Sequence, residues 1–250
     1  KTTTTTVNDT SVPLTSSTLT STAITNGGYI TSYAGDVNGD GIDGFVVSAY
    51  PNSVVPNTKA YVVFGKAGNL MPLDLATMSA SQGFAINSTG GGIQSVHYAG
   101  DVNGDGLADV VIGQRGESGS SGAAYVVYGK VDGNMVTLGS AMGSAGYMID
   151  MTGGTSQFGA DVSTAGDFNG DGVGDLIIGA QQGDAVYILY GDKNYTGSRL
   201  VISGQTDMVG KGLVVAGTGG GGLGVSVSNL GDINGDGLSD VLVGGTNSET

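Results

Sequence analysis

One short acidic motif, repeated four times at a nearly constant interval, constrains this chain more than any other feature. The copies begin at Asp36 (DVNGDGIDG), Asp101 (DVNGDGLAD), Asp167 (DFNGDGVGD) and Asp232 (DINGDGLSD), which places them 65, 66 and 65 residues apart. A fixed period of this kind marks a fold assembled from equal supersecondary units, none of which can bury its apolar face alone.

The residues between the motifs repeat as well. Each motif is followed by a short apolar run, Phe45-Val46-Val47, Val110-Val111-Ile112, Leu176-Ile177-Ile178 or Val241-Leu242-Val243, bounded by small residues and read as a buried strand. A second strand follows in three copies, at 60–65, 124–129 and 186–191, rich in β-branched and aromatic residues and closed by glycine. A third starts at Gly83, Gly146 and Gly212 and leads into the pairs Gly90-Gly91, Gly153-Gly154 and Gly219-Gly220. With the stretch that precedes each motif, every period carries four strands. The expected fold class is therefore all-β, a β-propeller of four-stranded blades, of which this chain holds about 3.5 to 4. Forty-nine glycines against four prolines fit many short strands and tight turns. Tyr61, Tyr125 and Tyr187 are expected in the core, with Met148 and Met151 as gap-fillers.

The chemistry resides in the nine-residue loops at 36–44, 101–109, 167–175 and 232–240. Oxygen-bearing side chains stand at positions 1, 3, 5 and 9, and glycine at positions 4 and 6 lets the chain curl enough to aim several oxygens at one centre. The candidate ligands are Asp36, Asn38 and Asp40; Asp101, Asn103, Asp105 and Asp109; Asp167, Asn169, Asp171 and Asp175; and Asp232, Asn234, Asp236 and Asp240. Position 7, Ile42, Leu107, Val173 or Leu238, would contribute its backbone carbonyl. Carboxylates and an amide without His or Cys select a hard ion, and calcium accepts such oxygen sets. The first loop has Gly44 at position 9 and Asp43 one place early, so three full sites and a weaker fourth at 36–44 are expected. Asn-Gly and Asp-Gly also serve plain hairpin turns, but turn geometry alone does not require Asp, Asn and Asp at the same places four times. An EF-hand would need its last acid at position 12, where Val47, Ile112, Ile178 and Val243 stand.

Eight basic residues against 22 acidic ones give a formal charge of −14, and twelve of the acids lie in the four loops. That field repels phosphate backbones and anionic lipid, which argues against nucleic-acid binding, and no apolar run is long enough for membrane insertion. Four divalent ions would neutralise more than half of the charge. Cysteine is absent and His97 is the only histidine, so the inventory for catalysis is thin. His97 is read as structural and Arg115-Gly116-Glu117 as a polar turn. Asn8, Asn87 and Asn194 fit the Asn-x-Ser/Thr pattern.

The motif, its apolar strand with Gly-Ala, and the Ala-x-Tyr-x-x-Tyr-Gly strand resemble the FG-GAP repeat of integrin α-subunit β-propellers. The match is cleanest from Phe158-Gly159 to Gly179-Ala180; Phe-Gly becomes Leu223-Gly224 in the fourth copy and is lost in the first two. Val62-Val63-Phe64-Gly65-Lys66 and Leu73-Asp74-Leu75 are similar to repeats of large secreted bacterial proteins. The resemblance implies calcium in the loops between strands 1 and 2 of a blade, an extracellular or cell-surface location, and a non-catalytic adhesion, surface-binding or assembly role. The expected partner is a protein or glycan on a cell surface or in the extracellular matrix. A calcium-dependent lectin-like propeller and an accessory domain of a secreted hydrolase are the alternatives. Residues 1–16 are expected to form a Thr/Ser-rich segment or linker and 17–250 the repeats. Family propellers have seven blades, so the chain is expected to be a fragment of a longer array or to be completed through strand 17–25. That strand would close a ring in cis or build a homo-oligomer or filament by β-strand addition.

Overall fold

The computed structural model describes residues 5–7, 17–20, 29–49, 59–68, 73–88, 92–115, 121–152 and 156–246. Their elements are short strands joined by tight loops, with three single turns of 3₁₀ helix and no α-helix among them. Two strands, β1 (Thr5–Val7) and β2 (Ser17–Thr20), precede the first repeat. The first repeat supplies β3 (Tyr29–Gly35), β4 (Gly44–Ala49), β5 (Lys59–Val63), β6 (Leu73–Asp74) and β7 (Gly83–Asn87). The second supplies β8 (Ser95–Gly100), β9 (Asp109–Gln114), β10 (Ala123–Val127), β11 (Val136–Thr137) and β12 (Gly146–Met151). The third supplies β13 (Phe158–Gly166), β14 (Asp175–Ala180), β15 (Ala185–Leu189), β16 (Arg199–Ile202) and β17 (Gly212–Ala216), and the fourth β18 (Ser226–Gly231) and β19 (Asp240–Gly244). The part of the expected strand 17–25 beyond Thr20 and the first two glycine pairs lie outside the described residues.

Each of the first three repeats folds into one antiparallel meander, β3-β4-β5-β7, β8-β9-β10-β12 and β13-β14-β15-β17, as the spacing predicts. The first strands of successive meanders pack side by side, β3 on β8, β8 on β13 and β13 on β18, as propeller blades do around an axis. One feature of the pairing was not expected from the sequence. The short strands β11 and β16 leave their own blade and add in parallel to the preceding one, β11 to β7 and β16 to β12, so each blade is stitched to the next by a fifth strand. The strand β6 does the same to β2, and β1 pairs with β2. Thus β1 lies in a sheet within the 1–16 segment, which was expected to be a Thr/Ser-rich segment or linker.

The core lies between blades. In β4, Val46 faces the second blade and Val47 the opposite side, and in β9 Val110 and Ile112 face the first blade while Val111 faces the third. Because both faces are covered, every residue of β9 and β14 is buried, and the strand reads as a continuous apolar run. Tyr61, Tyr125 and Tyr187 are buried as expected, and Phe158 packs edge to face on Tyr187 with centroids 5.4 Å apart.

Glycine at the start of each fourth strand is sterically required. Gly83, Gly146 and Gly212 have φ of +147°, +142° and +149°, and a Cβ would stand 2.0, 1.9 and 1.9 Å from the carbonyl oxygens of Val62, Val126 and Ile188. Gly146→Ala is therefore expected to cost about 2–3 kcal/mol in urea unfolding, since the clash is with backbone and cannot be relieved by a rotamer. An unchanged midpoint would show that this approach is not held in solution.

Candidate metal-binding loops

The four acidic loops sit at the same end of the blades, between the first and second strand of each. Immediately before each loop the register slips by one residue, between Tyr33 and Gly35, Tyr98 and Gly100, Thr164 and Gly166, and Asn229 and Gly231. The glycine at this bulge has positive φ, between +66° and +87°, which turns the strand sharply into the loop.

Inside the loop the position-1 carboxylate organises the backbone. Asp36 accepts N–H bonds from Gly39, Asp40 and Gly41 at 2.8, 3.1 and 2.8 Å. Asp167 accepts the same three from Gly170, Asp171 and Gly172, and Asp232 from Gly235, Asp236 and Gly237. These bonds, led by Gly237, hold the Asp232 carboxyl below its usual range. The position-3 amide donates to the position-5 carboxylate in all four loops, at 2.9, 2.9, 2.8 and 3.1 Å. The position-5 carboxylate in turn accepts the N–H of Ile42, Leu107, Val173 or Leu238.

Position 9 differs in kind. Asp109 and Asp175 are fully buried. Asp109 accepts Val102 N–H at 2.9 Å and Gly129 N–H at 2.8 Å, and Asp175 accepts Phe168, Asn169 and Gly191. Each therefore ties its loop to the glycine that ends the third strand of the same blade. Burial pushes the Asp109 carboxyl up to about 8 and raises that of Asp175, against the pull of these N–H groups. The negative field also reaches nearby phenols: Tyr128 rises to about 12 through burial and then the charge of Asp109. In the first loop a side chain at Gly44 would strike the Val63 carbonyl, with its Cβ 2.4 Å away. Asp43 does not take the buried place; it accepts the Tyr33 hydroxyl and, after burial, pushes that phenol up to about 12.

Among the described residues no three acidic, His or Cys side chains are gathered closely enough to hold a metal by themselves. Any ion in these loops must therefore also draw on amide and backbone oxygens, and the donor set allows this. Asn38 Oδ1 is buried without a hydrogen-bond partner, beside Asp40 and the Asp36-bound turn. A buried amide oxygen left bare costs stability unless something electropositive reaches it. The residues fit an oxygen-seeking cation.

His97 lies in β8, half-buried, with Nδ1 3.4 Å from Ser32 Oγ. Burial lowers its pKa, partly opposed by Asp161. Asp161 itself is engaged by Ser95 Oγ at 2.7 Å and Val227 N–H at 2.9 Å, so it joins three neighbouring inner strands. Sequence reasoning missed this clamp. The only signal for it is that residues 95, 161 and 227 are one repeat apart.

The FG-GAP repeat model matches residues 158–202 and the FG-GAP-like repeat model residues 101–178. Integrin alpha pat-2 of Caenorhabditis elegans is 30% identical over 235 residues, 87% of this chain and 18% of that protein. The Caenorhabditis briggsae protein of the same name is 29% identical over 242 residues with the same coverage. Integrin alpha-M of Mus musculus is 39% identical over 85 residues, 33% of this chain and 7% of its own length. The chain thus spans less than a fifth of these relatives. No helix among the described residues is long and apolar enough to cross a membrane. The matched segments contain the loops at 101–109 and 167–175, the Phe158-Gly159 and Gly179-Ala180 elements and the strands between them, and the all-β blades carry them in repeat register. This chain is an FG-GAP repeat module of the integrin α-like type.

Proposed function

We propose that the loops at 101–109, 167–175 and 232–240 each bind one Ca²⁺ and that the loop at 36–44 binds a fourth more weakly, so that the blades form a rigid, non-catalytic adhesion or assembly module outside the cell. The observation that supports this best is the fourfold recurrence of one oxygen-lined turn, with an unpartnered buried amide oxygen in one copy. When bound, calcium would supply the positive charge that lets the carboxylates of one loop sit together. The chain's own part is to hold positions 1, 3 and 5 in a fixed turn and position 9 against the third strand. The first loop is weaker because no side chain fits at Gly44. A protein or glycan ligand on a cell surface or in extracellular matrix is the partner such a module would take, and similarity to integrin α subunits supports that role.

Isothermal titration of the metal-stripped chain is expected to give three calcium ions per chain, with a weaker fourth, and little heat with magnesium, whose stricter octahedral demand the loops do not meet. Asp105→Ala should remove one ion. Absence of calcium uptake at millimolar concentration would sink the reading.

A further inference from the structure

The four loops carry the same residues at positions 3 to 6, Asn-Gly-Asp-Gly, at 38–41, 103–106, 169–172 and 234–237. Both dipeptides in this run are chemically labile. Glycine places no side chain beside its backbone nitrogen, so that nitrogen can attack the side-chain carbonyl carbon of the residue before it and close a five-membered imide. Two local conditions govern the attack. The nitrogen has to give up its proton, and with it any hydrogen bond that the N–H makes. The carbonyl has to take on negative charge at its oxygen, which an N–H donor on that oxygen stabilises.

The fold sets the first condition unequally. At the Asp-Gly step the nitrogen is held in every loop, since Gly41, Gly106, Gly172 and Gly237 donate to the position-1 carboxylate at 2.8, 2.8, 2.9 and 2.8 Å. At the Asn-Gly step it is held in three. Gly39, Gly170 and Gly235 donate to Asp36, Asp167 and Asp232 at 2.8, 2.7 and 2.6 Å. In the second loop Asp101 accepts the N–H groups of Asp105 and Gly106, at 3.0 and 2.8 Å, but not that of Gly104. Gly104 is exposed, and its N–H has no acceptor among the described residues.

The second condition divides the loops differently. The backbone N–H groups of Asp105, Asp171 and Asp236 donate to Oδ1 of Asn103, Asn169 and Asn234 at 2.9, 2.9 and 2.8 Å. Asn38 Oδ1 has no such donor. A free nitrogen and a polarised carbonyl therefore coincide at one of the four Asn-Gly steps, Asn103-Gly104. A further Asn-Gly, Asn26-Gly27, lies outside the described residues.

We propose that Asn103 is a site of spontaneous deamidation built into the second loop. The Gly104 nitrogen loses its proton to solvent base and bonds to Asn103 Cγ; the Cγ–Nδ2 bond breaks, and Nδ2 takes up a proton and leaves as ammonia. Water then opens the imide at either of its two carbonyls, giving aspartate by one route and isoaspartate by the other. One water is consumed and one ammonia released, with no change of oxidation state. The aspartate route adds a fourth carboxylate to the loop of Asp101, Asp105 and Asp109. The isoaspartate route carries the main chain through the side chain. It lengthens the turn by one methylene between Asp101 and the Asp105 and Gly106 N–H groups that Asp101 holds. Either product makes the second loop unlike the other three, so the chain carries a timer in one of its repeats. The inference does not rest on calcium.

The test is peptide mapping of the folded, chelated chain during incubation at mildly alkaline pH. Each Asn-Gly is followed by its amide-to-acid mass change, and isoaspartate by enzymatic methylation. Asn103 is expected to convert about tenfold faster than Asn38, Asn169 and Asn234, the factor that one hydrogen bond to a charged acceptor supplies. In concentrated urea the four should convert at similar rates, because positions 3 to 6 are identical and the fold no longer separates them. Asp167→Ala, which releases the Gly170 N–H, is expected to bring Asn169 up to the rate of Asn103. If that variant does not fold, the ranking in the unaltered chain still decides. Equal rates in the folded chain, a faster site among the other three, the same ranking in urea, or an Asn169 that stays slow in the folded variant overturns the proposal.

Discussion

Replacing Asp109 by alanine is expected to destabilise the calcium-free protein by about 3–5 kcal/mol, measured as the shift in denaturant unfolding. The carboxylate is fully buried and accepts Val102 N–H and Gly129 N–H, so its loss strands two buried donors and leaves a void between the loop and the third strand. Asp109→Asn should restore only part of the loss, because its amide presents an N–H₂ to one of two groups that are themselves donors. Asp240 provides the contrast. It accepts Ile233 N–H at 3.0 Å, but no third-strand glycine follows it among the described residues, and it is only half-buried. Asp240→Ala should therefore cost about 1 kcal/mol. Equal losses at the two positions would show that position 9 acts through charge alone and not through the strand it ties down.

Calcium is expected to raise the melting temperature of the chain by roughly 20 °C over the chelated protein. At a hundredfold excess over Kd each site adds about 2.7 kcal/mol. Three such sites acting on one cooperative unit, at about 2–4 °C per kcal/mol for a chain of this size, give a shift of that order. The shift should also depend on pH in a defined direction. Asp109 is held near 8 in the folded protein against 3.8 as its ordinary value, and Asp175 is raised as well, in both cases chiefly by burial. The metal-free fold thus keeps protons that the unfolded chain has released above about pH 4. Their contribution is greatest below that pH and is lost as pH rises through about 8. A divalent ion takes the place of those protons, so the gap in melting temperature between loaded and chelated protein should widen from pH 5.5 to 8.5. A gap independent of pH would mean that the position-9 carboxylates do not share in binding, and no gap at all would remove calcium from the account of stability.

Much of the architecture was legible because propeller blades are local objects. The alternation that sends Val46 and Val47 to opposite faces, and the glycine that closes Val126-Val127-Tyr128-Gly129, act between residues close in sequence, so period and composition disclose them. The parallel strands β6, β11 and β16 were not legible. They are two to four residues long, and β11 and β16 pair with a blade about 50 residues earlier, so neither a hydrophobic period nor a turn signal marks them. The loops divide in the same way. Asp, Asn and Asp at positions 1, 3 and 5 could be read as a donor set from spacing alone, whereas the separate standing of position 9 could not. Its burial depends on where Gly129 and Gly191 arrive, and these lie 20 and 16 residues further on.

The sequence by itself determined that this protein is a string of four-stranded units with an acidic turn at one corner of each, since strand propensity, glycine placement and carboxylate spacing are properties of short segments. Only the tertiary structure decided which faces of those units are satisfied. Val37 and Ile233 occupy the same place in the repeat and differ in exposure because, among the described residues, one has a following blade against it and the other does not. Contact between blades is a sum over residues distant in the chain, and no local pattern carries that sum.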